Sequence, residues 1–246
     1  FNFSFAQKKS KKNNFPKSTS AIERFSSNDK NLNDNKSLLK NINFRNIGPT
    51  VMSGRVVDLD INPEDPTHFY VAYASGGLWE TRNHGNTFSP LFDNQMVMTI
   101  GDIKVDWKEN IIYVGTGENN SSRSSYSGNG IYKSVDNGKN WTHIGLDDSH
   151  HIGRIIIHPN NSKVLWVAAL GHLYSKNIER GVYKSINGGE TWKKTLYVND
   201  LTGAIDLIID ESNPNILYAS MWEKDRKAWN FDGAGLGSGI YKSTDG

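Results

Sequence analysis

The side chains best suited to chemistry gather in three polar stretches, each of which follows an aromatic, β-branched run. The first, Gly117 to Asn129, carries Glu118, Arg123 and Tyr126; the second, Gly171 to Arg180, carries His172, Tyr174 and Arg180. The third, Met221 to Ser238, carries Trp222, Glu223, Arg226 and Trp229. Aromatic rings beside carboxylates and guanidinium groups suit carbohydrate or peptide binding, through ring stacking and charge-assisted hydrogen bonds. Glu118, Arg123, His172, Arg180, Trp222 and Arg226 are therefore the candidate ligand-binding residues. Glu118 leads, because Gly115-Thr116-Gly117 lets the chain turn sharply beside it. Glu118 and Glu223 are also the weak catalytic candidates: inverting glycoside hydrolysis needs two carboxyl groups about 6.5–9.5 Å apart. Gln95, Asp147, Asp148, His150, His151 and Asp200 join them from shorter connecting segments. His150-His151 raises the question of a metal, but adjacent residues at a strand edge point to opposite sides. Zero cysteines exclude thiolate metal sites, thiol nucleophiles and a disulfide scaffold. No metal and no cofactor is expected.

A repeat positions these stretches. Gly130-Ile-Tyr-Lys-Ser-Val-Asp-Asn-Gly-Lys-Asn-Trp141 recurs as Gly181-Val-Tyr-Lys-Ser-Ile-Asn-Gly-Gly-Glu-Thr-Trp192, and again as Gly239-Ile-Tyr-Lys-Ser-Thr-Asp-Gly246. Gly77 to Phe88 is a weaker early copy. Thr81, Ser134, Ser185 and Ser243 are 53, 51 and 58 residues apart. Periods of about 40–50 residues built of short strands point to propeller blades. Three further runs keep step: a glycine-opened strand (Ser53–Leu59, Ile100–Val105, Ile152–Ile157, Thr202–Ile208), a turn such as Asn62-Pro63, and an aromatic run (Phe69–Ala72, Ile112–Val114, Leu165–Ala168, Ile216–Ala219). With the strands before and after the Ser-x-Asp turn, each unit has four. The fold class is all-β, a β-propeller of four-stranded blades over 43–246, with blades near 49–98, 99–149, 150–200 and 201–246.

The turn itself reads as structural. An Asp or Asn there accepts hydrogen bonds from backbone N–H groups, the glycine supplies a positive φ, and the closing indole buries a large ring. Ser134, Asp136, Gly138 and Trp141, then Ser185, Asn187, Gly189 and Trp192, then Ser243 and Asp245 are assigned this role. No copy has the spaced acids and final Glu of a calcium loop.

The charge is uneven. Residues 1–40 hold nine of the 28 basic residues and three of the 26 acidic ones, leaving 19 against 23 in the remainder. A nucleic-acid binder gathers basic residues on its folded part; this chain does not, and no nucleic-acid partner is expected. Residues 8–42, polar and basic, read as a disordered linker. Phe1 to Gln7 looks like the end of an apolar targeting segment, which predicts an exported protein. No run approaches the ~18 apolar residues of a membrane span.

The Ser-x-Asp-x-Gly-x-Thr-Trp turn resembles the Asp-box, or BNR, motif, with Asn83 and Asn187 for the acid, Asn140 for Thr and Phe88 for Trp. Residues 43–246 resemble bacterial Asp-box propellers related to the sortilin (VPS10) N-terminal domain. Xyloglucanase-type glycoside hydrolases and the plastid photosystem assembly factor share the repeat. The resemblance implies a larger propeller, with further blades and room for other domains after residue 246, and residues 43–48 as the outer strand of its final blade. It leaves function open, since such folds host unrelated activities. A non-catalytic module binding a protein or glycan on the long-loop face, or scaffolding an assembly, is the favoured reading. A xyloglucanase-like hydrolase is the alternative, and a sorting-receptor or peptidase-associated module the third. Against the alternative, the resemblance implies a catalytic Asp before Gly76-Gly77, where Tyr73-Ala74-Ser75 has no acid.

Overall fold

The structure, a computed structural model, describes residues 19–32 and 54–246. The targeting segment and the strand expected at 43–48 lie outside the described residues. Within the expected linker, residues Ala21–Leu32 form an α-helix, α1, a departure from the expectation of disorder there. Its start has a local cause. The Ser20 hydroxyl accepts from the Glu23 N–H, while the Glu23 carboxylate accepts from the Ser20 N–H at 3.0 Å, a reciprocal capping box.

Strands follow in four antiparallel sheets. The first blade is β1 (Val56–Ile61), β2 (Phe69–Tyr73), β3 (Gly77–Thr81) and β4 (Ser89–Pro90). The second is β5 (Ile100–Asp106), β6 (Ile111–Thr116), β7 (Ile131–Ser134) and β8 (Thr142–His143). The third is β9 (Ile152–His158), β10 (Asn161–Ala169), β11 (Gly181–Ser185) and β12 (Lys193–Leu196). The fourth pairs β13 (Thr202–Ile209), β14 (Leu217–Glu223) and, past a two-stranded ribbon of β15 (Asp225–Arg226) and β16 (Phe231–Asp232), β17 (Gly239–Ser243). Each sheet runs in sequence order from its first strand outward, and the first strands β1, β5, β9 and β13 pack against one another in succession. That is the arrangement of propeller blades around an axis.

The core lies between blades. Tyr70, Leu78 and Phe92 of the first blade meet Ile103, Ile112 and Tyr132 of the second; Tyr113 and Ile131 meet Ile155 and Val167; Trp166 and Val182 meet Leu207 and Met221. Blades can close on these seams because the first strands yield at one repeated place. The register slips at Val57, Gly101, Gly153 and Ile205, a bulge in each first strand that re-aims the next side chain. At Gly101 a Cβ would stand 2.0 Å from the Ile152 carbonyl oxygen, and at Gly153 2.2 Å from that of Ile205, so only glycine permits the approach. The re-aimed side chains meet: Arg154 binds Asp102 at 2.9 Å and Asp206 at 2.8 Å, with Asp58 at 3.9 Å. Burial pushes the Asp102 carboxyl well up despite Arg154.

The corner turns repeat their bonding. Gly138 N–H donates to Ser134 Oγ at 2.8 Å, and Asn140 N–H to Asp136 Oδ1 at 2.9 Å. Gly189 to Ser185 (2.9 Å) and Thr191 to Asn187 (3.0 Å) reproduce them, and Ser243 donates to Asp245 at 3.0 Å. Each indole crosses to the preceding blade: Trp141 donates to the Leu91 carbonyl at 2.9 Å and Trp192 to that of Ile144 at 2.7 Å. With the turns after each first strand, these corners lie on one face. The loops after each second strand share the other face with the blade-to-blade connections.

Candidate functional site

The second-blade loop is anchored at its base. Thr116 Oγ1 donates to the Gly130 carbonyl at 2.7 Å and accepts from the Asn129 N–H at 2.8 Å. Gly117 has φ +89°, and a Cβ on it would collide with the His150 carbonyl oxygen. The sharp turn expected beside Glu118 is present, and it carries Glu118 inward. The side chain is buried and ion-paired with Arg55, and its carbonyl accepts from His151 Nδ1 at 2.7 Å. Tyr126 stays 62% exposed at the loop's rim, and Arg123 is exposed, its carbonyl accepting the Tyr174 hydroxyl at 2.6 Å.

The third-blade loop winds around Arg180. This guanidinium is buried and donates to four carbonyls, those of Leu170 (2.8 Å), Leu201 (3.1 Å), His172 (2.6 Å) and Ser175 (3.1 Å). Arg180 thus shapes the loop, its guanidinium spent on backbone carbonyls rather than exposed at the rim as the sequence reading expected. Burial brings its pKa down to about 10. His172, from the same loop, accepts or donates at Nδ1 with Ser175 Oγ (2.8 Å) and donates from Nε2 to the Asp148 carbonyl at 3.1 Å.

Between these two loops lies a cavity of about 570 Å³, lined by Ser125, Tyr126, His150, His151, His172 and Tyr174 among others. His150, in the left-handed region at φ +59°, stacks its ring on His172 with ring centroids 3.6 Å apart and lies edge-on to His151 at 6.3 Å. Burial, with His172 next in weight, holds the His150 imidazole down at about pKa 2. Burial also lowers His151, aided by Lys224, and His172, aided by Arg180. At neutral pH the cavity therefore presents uncharged imidazoles, each able to accept as well as donate. Arg24 of α1 covers one side, donating to the carbonyls of Gly128 (2.8 Å) and Asp147 (2.7 Å) and to Asp148 Oδ1 (3.3 Å).

The fourth-blade candidates form a separate group. Trp222 and Glu223 belong to β14 itself rather than to a loop. The Trp222 indole donates to the Gly233 carbonyl at 2.8 Å and meets Phe231 edge-on, and Arg226 lies over the Phe231 ring at 4.9 Å. Glu223 accepts from the Gly237 N–H at 2.8 Å. Trp229 is 85% exposed at the ribbon's turn. Between this group and Arg180 sits Lys224, buried, its Nζ without a hydrogen-bond partner among the described residues, and lowered by burial to about pKa 7. Sequence reasoning passed over Lys224, Ser125 and Arg24. For Lys224 no sequence signal existed; for Arg24 the Ser20-x-x-Glu23 cap was legible.

No family model and no curated protein matches the chain. Solved structures do. A GH74 enzyme from Niastella koreensis superposes with a TM-score of 0.56 at 23% identity, covering 76% of this chain and 27% of that one. The GH74 xyloglucanase from Xanthomonas campestris gives 0.54 at 15% identity, over 76% and 28%. An auxiliary nutrient binding protein from Bacteroides thetaiotaomicron gives 0.50 at 13%, over 77% and 42%. The fold is that of a β-propeller. The chain spans under a third of the length of either GH74 enzyme. Among the described residues, no helix is long and apolar enough to cross a membrane.

Proposed function

We propose that this propeller is an exported, non-catalytic binding module that takes a glycan or a protein segment in the cavity between its second- and third-blade loops. The observation that carries the reading is the lining: Tyr126 and Tyr174 rings beside neutral imidazoles and serine hydroxyls, all at the mouth of a preformed hollow. Such a lining stacks on a sugar or aromatic face and exchanges hydrogen bonds in both directions, with the Arg24 guanidinium of α1 as the charged group on one side. The repeated corner bonding supports kinship with Asp-box propellers, the sortilin N-terminal type included. The similar folds of a xyloglucanase and an auxiliary nutrient binding protein favour a glycan as the first ligand to test.

The carboxylates favour binding over hydrolysis. Glu118 is buried against Arg55, and Glu223 accepts its own loop's Gly237 N–H, so both are already engaged in holding the loops. Array screening followed by calorimetry on the full-length protein tests the proposal. Tyr126→Ala and Tyr174→Ala are each expected to weaken binding about tenfold, in line with about 1–1.5 kcal/mol for one stacked ring. Release of reducing ends that Glu118→Gln abolishes overturns it in favour of a hydrolase.

A further inference from the structure

We infer that Asp148, His150 and His172 form a binding site for a divalent transition-metal ion of the zinc class, open to the long-loop cavity. One ligand atom from each of the three lies within 4.8 Å of the other two. They come from different segments, the connection before the third blade and that blade's long loop, so the fold and not a local motif assembles them. Two imidazoles and one carboxylate are a donor set that zinc and its neighbours accept, and three protein ligands leave at least one position for water or an incoming ligand.

One of the donors stands ready for a metal. His150 Nε2 is buried and has no hydrogen-bond partner among the described residues; a polar nitrogen so placed is unfavourable until something meets it. Asp148 already holds a cation, the Arg24 guanidinium at 3.3 Å. A metal ion would replace that guanidinium. His172 would give up one of its two present partners and keep the other, the outer hydrogen bond that orients a ligating ring. The rings now stack with planes 23° apart, and both planes must converge on a shared ion, so occupancy opens the stack by rotation about each Cβ–Cγ bond. The claim concerns the ion alone and stands or falls apart from the identity of any organic ligand.

Zn²⁺ is the probe. Full-length protein stripped with a chelator is titrated with Zn²⁺ against a chromophoric competitor. One equivalent is expected to bind, with affinity at least tenfold lower in each of His150→Ala, His172→Ala and Asp148→Asn, and unchanged in His158→Ala. Asp148→Asn is isosteric at a partly exposed position, so its loss of affinity is read on a folded protein, checked by near-ultraviolet circular dichroism. Arg24→Ala is expected to tighten binding severalfold by removing the competing cation. Co²⁺ in the same site is expected to show visible absorption bands that His150→Ala removes. Failure to retain Zn²⁺ at micromolar concentration, or retention that the His150 and His172 substitutions leave intact, overturns the assignment.

Discussion

The two faces of the propeller are built from the same strands and differ in how they treat repetition. On the corner face, Ser134, Asp136 and Gly138 of one blade and Ser185, Asn187 and Gly189 of the next make superimposable hydrogen bonds, and Trp141 and Trp192 cross to equivalent carbonyls. On the long-loop face no two blades agree. Glu118 turns inward to Arg55, Arg180 is wound into its own loop, and Trp222 and Glu223 are engaged with a ribbon that the other blades lack. Stability rests on the face that repeats, where each corner seals a seam. The face that varies holds the buried imidazoles, the cavity, and Lys224, whose Nζ has no hydrogen-bond partner among the described residues. A rigid repeated scaffold permits such departures, since loops on it can change without disturbing the seams.

The contrast breaks first if the variable face proves structural throughout. Arg180→Ala removes the donor to four buried carbonyls and is expected to lower stability by at least about 3 kcal/mol in urea unfolding, the largest single effect on this face. A loss comparable to a surface substitution would mean the loop does not depend on it.

Lys224 sharpens the contrast through pH. Its amine is pulled down to about 7 in the folded protein, below its ordinary 10.5 in the unfolded chain. Between those values the unfolded state binds more protons, so stability rises with pH across this window and the penalty is greatest below pH 7. From pH 7 to pH 9 the gain is about 2 kcal/mol. Lys224→Met is expected to abolish that rise and to be the more stable protein at pH 6; parallel pH profiles for the two proteins would refute the burial of a charge there.

The corner face yields smaller effects. Ser134→Ala leaves the buried Gly138 N–H without its acceptor and is expected to cost about 1–2 kcal/mol, and Ser185→Ala the same. Inequality between the two would end the equivalence of the corners. Asp136→Asn is the mildest. Asn187 already performs the same bonding, so the unfolding midpoint at pH 7 should be unmoved. Hydrogen bonds from Asn140 and Ser134 hold Asp136 down at about pKa 2. The wild type should therefore lose the carboxylate's contribution as pH falls from about 4 toward 2, a share of acid sensitivity that Asp136→Asn lacks.

The blades were legible because each is local: period-two strands, an Asx corner and an indole recur within about fifty residues, and no distant partner decides them. Even Gly101 and Gly153, which open two of the first strands, were readable as signals, although their cause, the next blade's backbone within 2.0–2.2 Å of a Cβ, was not. Helix α1 was missed despite its capping box, since polar composition spoke for disorder over the whole stretch. The site was the least legible part. His150 and His151 lie just before β9, edge-on to each other at 6.3 Å, and the sequence drew attention only to that pair; His150 stacks on His172, a full strand pair away.

By itself, then, the sequence determined the repeat, the strand order within each blade, and which turns carry long loops, all properties of short-range pattern. Only the tertiary structure decided which polar side chains are used up. Arg180 and Glu118 look alike as ligand-facing charges in a string of residues, and both are consumed by burial, while His150, His172 and Asp148 become neighbours only when the second and third blades close on their shared seam. Burial and proximity between blades depend on the packing of whole sheets, and no window of sequence contains them.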